Sequence, residues 1–187
     1  MVLLIKKTTV YKEQDAQKVE QYLTEIKDIL PENIAYVDES GMNQCFYREY
    51  AYAPRGEKVI EKISGRKFQR LSIVAAKLGE KIIAPMQYNG TMNGALFEQW
   101  FGQCLLPCLS KQHVIVMDNA SFHRKKKLKE LAEAQNIKLI FLPPYSLELN
   151  PIEKFWAILK RWLKKHIREY DSLEDAIEAA FQVFGDS

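Results

Sequence analysis

HVIVMDNAS, His113 to Ser121, is the stretch whose reading decides the fold. Four apolar residues, Val114 to Met117, run without interruption into Asp118. A continuous run of this kind suits a strand buried on both faces, as in a parallel sheet covered by helices. Downstream, RKKKLKELAEAQN has helical spacing, and IKLIFLPP is a second buried strand. Strand, helix, strand makes a crossover unit, whose strands are parallel and whose connection is right-handed. NPIEKFWAILKRWLKKHI then reads as a helix with Asn150 as N-cap and Pro151 at its first position. SLEDAIEAAFQVF reads as a last helix, with Ser172 capping and Asp175 three residues on.

Upstream, YKEQDAQKVEQYLTEIKDIL, residues 11–30, is an amphipathic helix stopped by Pro31. NIAYVDES is a short apolar strand that also ends in acid, and NQCFYREYAYAP alternates loosely as another. FQRLSIVAAKLGEKIIAPMQYNG reads as two strands joined at Leu78-Gly79-Glu80, and NGALFEQWFGQCLLPCL as a helix with a broad apolar face. An antiparallel meander followed by crossover units predicts an α/β fold, a mixed sheet with helices on both faces.

At 187 residues the chain is long enough for one well-cored domain. It holds no apolar run of about 18 residues, so no membrane span is expected, and the short apolar run that opens MVLLIKK is too brief for a signal peptide. Cys45, Cys104 and Cys108 lack zinc or redox spacing and read as small buried thiols of a reducing cytoplasm. The net charge of +3 hides a segregation: residues 124–168 hold twelve Lys and Arg against four Asp and Glu. The tail after Arg168 holds six acids and no Lys or Arg. That points to one basic face and a polyanionic partner, set against a plain set of solvated helix faces.

Asp38 and Asp118 each follow a buried apolar run, where open α/β sheets gather their sites. One such Asp is more often a cap or turn former; two on separate strands shift the balance toward a shared site. On the NPIEKFWAILKRWLKKHI helix, Phe155, Trp156, Leu159, Trp162 and Leu163 form an apolar stripe. Glu153 lies at its edge, and Lys160 and Lys164 continue that edge. Taken alone, Glu153 is an acid well placed in a first helical turn, and Glu148 is a loop acid without assigned chemistry. Three converging carboxylates fit Mg²⁺ or Mn²⁺, and two such ions about 3.5–4 Å apart serve phosphodiester chemistry.

YVDESG, VMDNASFH and LPPYSLELNPIEKFW together resemble the three catalytic segments of DDE transposases, in the bacterial insertion-sequence branch of the mariner-type superfamily. Between Asp118 and Glu153, 34 residues intervene, the spacing typical of that group. The resemblance implies a ribonuclease-H-like fold with a mixed five-stranded sheet flanked by helices. It implies that Asp38, Asp118 and Glu153 are the catalytic acids and hold two Mg²⁺ or Mn²⁺ ions. DNA would be cut at transposon ends, and the freed 3′-hydroxyl joined to target DNA, usually at TA. Asn119 and His123 match recurring positions, with supporting roles or DNA contacts. For His123 a capping or packing role stands equally. Arg124, Lys125, Lys126, Lys160 and Lys164 are the expected DNA contacts.

The resemblance further implies a cytoplasmic, nucleoid-associated bacterial protein that pairs on DNA as a homodimer. Residues 1–33 resemble the linker after a helix-turn-helix part that is separate or missing, and 34–187 the catalytic domain. Leu147 stands where the family usually has proline, a change that removes no ligand. Two alternatives remain open: a catalytically silent DNA-binding remnant, and a structure-specific nuclease of the same fold.

Overall fold

The computed structural model of the chain describes residues 11–43, 53–58, 60 and 70–185. Five strands form one sheet: β1 (Ile34–Asn43), β2 (Arg70–Leu78), β3 (Lys81–Asn89), β4 (Val114–Met117) and β5 (Lys138–Phe141). Their order is β3-β2-β1-β4-β5. β1, β2 and β3 pair antiparallel, while β4 joins β1, and β5 joins β4, in parallel. The mixed sheet thus has the expected character. Of the strand expected over NQCFYREYAYAP, Asn43 closes β1 and the remainder lies largely outside the described residues.

The β2–β3 turn sits at Gly79 and Glu80, where Gly79 takes a positive φ of 57° that glycine adopts without strain. From Leu71 to Ala76 every residue of β2 is buried, because both sheet faces are covered. On one face Val37, Val74, Ala76, Ile115 and Met117 pack against α2 (Gly94–Trp100) and α3 (Lys125–Glu133). On the other, Met42, Leu71, Ile73 and Ala75 pack against α4 (Ile152–His166) and α5 (Leu173–Gly185). α1 (Ala16–Ile26) covers that same face further along, through Tyr22 against Ile34, Val116 and Ile140. Successive strand residues point to opposite faces, so the odd and even positions of each strand divide between these clusters.

Three helices, α1, α2 and α5, start at a capping side chain. Asp15 caps α1 by accepting from the amides of Gln17 and Lys18 at 3.0 and 3.3 Å. Asn93 caps α2 through the Leu96 amide at 3.0 Å, and a π turn (Phe101–Leu105) carries that helix on to Leu105. Ser172 Oγ accepts from the Asp175 amide at 3.0 Å, as its spacing predicts. α4 departs from expectation: Pro151 occupies the cap position and no side chain caps the helix. Asn150 instead donates to the Val37 carbonyl at 3.4 Å, because its side chain is buried against β1.

The cysteine reading is corrected: Cys104 and Cys108 are exposed, on the side of their helical segment away from the buried Phe101 and Leu105. Cys45 lies outside the described residues. Among the described residues no helix is long and apolar enough to cross a membrane.

Candidate active site

Asp38 lies within β1, not at its end, because β2 continues the antiparallel ladder to Asn43. It stands instead where β1 leaves its parallel neighbour. The β1–β4 register ends at Tyr36 opposite Val116. Asp118 follows the last residue of β4, Met117, and so lies beside Asp38 at the end of this parallel strand pair, where both line one cleft. Asp118, just past β4, turns to His123, which packs on Phe97 of α2, whereas Asp38 shares the face of Tyr36 that α4 covers. Glu153 enters that face from the first turn of α4.

Contacts confirm the placement. Trp156, 1% exposed in the α4 core stripe, donates its indole N–H to Asp38 Oδ2 at 2.9 Å. Burial pushes the Asp38 carboxyl up to about 7, and Glu153 and then Asp118 add to the rise through like-charge repulsion. Glu153 and Asp118 are therefore both within electrostatic reach of Asp38.

Asp118 Oδ1 accepts from the Ala120 amide at 3.2 Å and lies 3.3 Å from His123 Nδ1. The same ring nitrogen is 3.3 Å from the Asp118 carbonyl. With two oxygens facing it, Nδ1 is the protonated nitrogen of the neutral ring. His123 packs between Phe97 and Phe122, each ring centroid 4.4 Å away, and its side chain is 4% exposed. Burial lowers its pKa, so the ring is neutral at physiological pH. Packing and orientation of Asp118 are thus one arrangement. Asn119 donates to the Leu142 carbonyl at 2.8 Å, fastening the residue after Asp118 to the end of β5.

Asp38 and Asp118 line a cleft of about 130 Å³ with Glu39, Ala120, Phe122 and His123, and Glu153 is not among its walls. Glu39 points to the opposite sheet face from Asp38, where its carboxylate accepts from Tyr88 Oη at 2.9 Å. Burial pushes Glu39 up to about 7. The adjoining larger cleft, about 540 Å³, is walled by Glu39, Arg70, Ser72 and Tyr88 among others. Sequence reasoning missed Glu39 and the Trp156–Asp38 bond. The available signal was Trp156 three residues after Glu153, on the same side of the helix.

Three carboxylates in electrostatic contact suit hard divalent cations, which take oxygen ligands and relieve like-charge repulsion. Among the described residues, no three His, Cys, Asp or Glu side chains are gathered tightly enough to hold an ion as they stand. Two aspartate oxygens are committed to the protein instead, Asp38 Oδ2 to Trp156 and Asp118 Oδ1 to Ala120. The donor chemistry fits such ions, and the closing of the three acids is what a bound cation would supply.

The expected DNA-contact residues divide between two places. α3 packs through Leu128 and Ala132 on one sheet face, and α4 through Phe155 and Leu159 on the other. Lys160 and Lys164 are exposed along α4. Arg124 stands at the head of α3, 3.6 Å from Glu98, and Lys125 Nζ lies 5.3 Å from the Phe141 ring centre. Lys126 is exposed beside them. The single basic face expected from the charge count is therefore two basic ridges, because strand β5 separates the helices in sequence and sends them to opposite sides.

A five-stranded mixed sheet in the order 3-2-1-4-5, covered by helices on both faces and carrying acids where β1 and β4 part, is a ribonuclease-H-like fold of the transposase and integrase kind. A model of the family described as DDE superfamily endonuclease matches residues 33–176, and the chain belongs to that family. Over 62 residues it is 42% identical to an uncharacterized protein, y4pE/y4sA, of Sinorhizobium fredii, covering 32% of this chain and 44% of that one. The fold resembles the Mos1 transposase paired-end complex with left transposon end, with a TM-score of 0.73 at 15% identity. That likeness covers 100% of this chain and 60% of the Mos1 chain. The Mos1 mariner paired end complex with Mn aligns at a TM-score of 0.60 and 16% identity, covering 98% of this chain and 67% of that one.

Proposed function

We propose that the chain is the catalytic part of a DNA transposase of the mariner-type superfamily, in its bacterial insertion-sequence branch. Asp38, Asp118 and Glu153 are its catalytic acids. The observation that carries this reading is that Asp38 and Asp118 line one cleft where β1 and β4 part, with Glu153 close enough to raise the Asp38 pKa. These three carboxylates would hold two Mg²⁺ or Mn²⁺ ions, which would supply charge to activate a nucleophilic oxygen and stabilise a leaving one at phosphorus.

The remaining work belongs to the chain's own groups. Trp156 fixes Asp38 by engaging Oδ2. His123, held between two phenylalanine rings, keeps Asp118 at the cleft mouth. Asp38 carries a proton for part of the time near pH 7, and gives it up when positive charge enters the site. Lys160 and Lys164 on α4, and Arg124, Lys125 and Lys126 at the head of α3, follow phosphates on either side of the acids. A DNA duplex laid across the sheet edge would meet both ridges.

The same reading includes transposon ends and TA target sites as DNA substrates, pairing of two copies on DNA, and action at the bacterial nucleoid in the cytoplasm. In this reading residues 1–33 resemble the linker that follows a helix-turn-helix part, separate or missing, and residues 34–187 are the catalytic domain. The test is nicking of supercoiled plasmid with Mn²⁺. Wild type cleaves, and Asp118→Ala lowers the rate at least about 10³-fold while DNA binding persists. Binding by both proteins with no cleavage by either, over a range of Mn²⁺ and DNA substrates, would identify a silent DNA-binding remnant.

A further inference from the structure

Gln14 lies just ahead of α1, yet its side chain reaches the loop that feeds α4. Its Nε2 is 3.2 Å from the Tyr145 carbonyl, 2.8 Å from Ser146 Oγ and 2.5 Å from Glu148 Oε1. An amide nitrogen carries two N–H bonds, so three acceptors share two protons. Beside this clamp the Tyr11 and Tyr145 rings meet at 6.1 Å. The segments are more than 130 residues apart in sequence, so the contact is tertiary.

The clamped loop needs restraint. Tyr145 has a φ of 59°, which a bulky residue holds only when its surroundings over-determine it. Leu147 is 44% exposed and has none of the φ restraint of proline. At its far end, Asn150 is tied to the carbonyl of Val37, the residue before Asp38. Glu153 follows in the first turn of α4. The stance of Glu153 against Asp38 is thus set through a loop restrained by Gln14 and Asn150, beyond the Asn119 bond to Leu142 at its start.

We propose that Gln14 is a positioning residue for Glu153: its amide restrains residues 145–148 and so holds the start of α4 in register with β1. This rests on Asp38, Asp118 and Glu153 being the catalytic acids. Gln14 touches no reacting atom. Glu148 thereby gains a role, as the charged acceptor of the clamp.

The test pairs amide hydrogen exchange with Mn²⁺-dependent cleavage of plasmid DNA, in wild type, Gln14→Leu and Gln14→Lys. Leucine keeps the bulk and removes both donors; lysine restores N–H donors. With Gln14→Leu, exchange over residues 145–150 rises while that of the sheet and of helices α2 to α5 is unchanged. Its kcat falls about 10- to 100-fold, and KM for DNA stays within about twofold. Gln14→Lys recovers both protection and kcat. Wild-type exchange and kcat in Gln14→Leu overturn the proposal, as does a chain-wide loss of protection that Gln14→Lys fails to restore. Cleavage unaffected by Asp118→Ala would instead remove the catalytic reading, a separable result because the exchange readout needs no activity.

Discussion

Asp38 sits at the centre of the proposed acid cluster. Its carboxyl is pushed from 3.8 up to about 7 by burial, by Glu153 and by Asp118. The folded protein therefore keeps a proton there that the unfolded chain has released. The stability this contributes is fully present below about pH 3.8 and is lost as pH rises through about 7. Glu39, raised from 4.5 to about 7, acts in the same sense. Metal-free protein is thus expected to lose stability between pH 5 and pH 8 in urea unfolding. Asp38→Asn cannot ionise and still offers an oxygen to Trp156. At pH 8 it should exceed wild type by on the order of 2 kcal/mol, a gap that closes toward pH 4. Parallel stability curves for the two proteins would contradict this. Asp38 and Asp118 were legible in the sequence because each follows an apolar run. Glu39 was not, because its side chain faces away from Asp38 and meets Tyr88, a partner 49 residues away on another strand.

The elements that sequence periodicity made plain are those with one strong pattern. β4 and β5 follow from apolar runs, the β2–β3 hairpin from Gly79, and α5 from the Ser172–Asp175 pair. Less legible was the entry to α4. Asn150 has the identity of an N-cap, but burial against β1 redirects its amide to the Val37 carbonyl. A local preference worth about 1 kcal/mol gives way where a buried backbone acceptor needs a donor. The exposed Cys104 and Cys108 reflect the same limit, since composition alone does not tell which side of a broad apolar helix faces water. The 142–150 loop carries a direct prediction. Leu147 opens the 3-10 turn Leu147–Leu149, a position whose N–H has no partner within that turn. Ser146 before it, at φ −125° and ψ 46°, lies outside the α region that proline forbids to its predecessor. Leu147→Pro should therefore stabilise the protein by about 0.4–1 kcal/mol in urea unfolding, by narrowing the unfolded ensemble. A loss of stability would show that the loop cannot take the ring.

At the scale of the whole molecule, one sheet edge organises everything else. Parallel pairing of β1 with β4 brings the two aspartates together, and the chain then needs all of β5 and the following loop before α4 can deliver Glu153. That distance explains why the third acid was ambiguous within its own helix and became legible only through the spacing back to Asp118. Charge follows the same geometry: the basic stretch of residues 124–168 crosses the sheet through β5 and leaves cations on both faces, flanking the acids. Helix α1 is bound into this body, through Tyr22 and through a 2.8 Å ion pair between Glu25 and Lys138. The segment ahead of α1 is thereby brought to the 142–150 loop. Crystals of the wild-type chain grown with Mn²⁺, and measured at the manganese absorption edge, address the acid cluster directly. Anomalous density touching the carboxylates of Asp38, Asp118 and Glu153, and absent from Asp118→Ala crystals, is the expected result. Manganese bound elsewhere on the chain, with these three carboxylates bare at saturating Mn²⁺, would contradict the assignment.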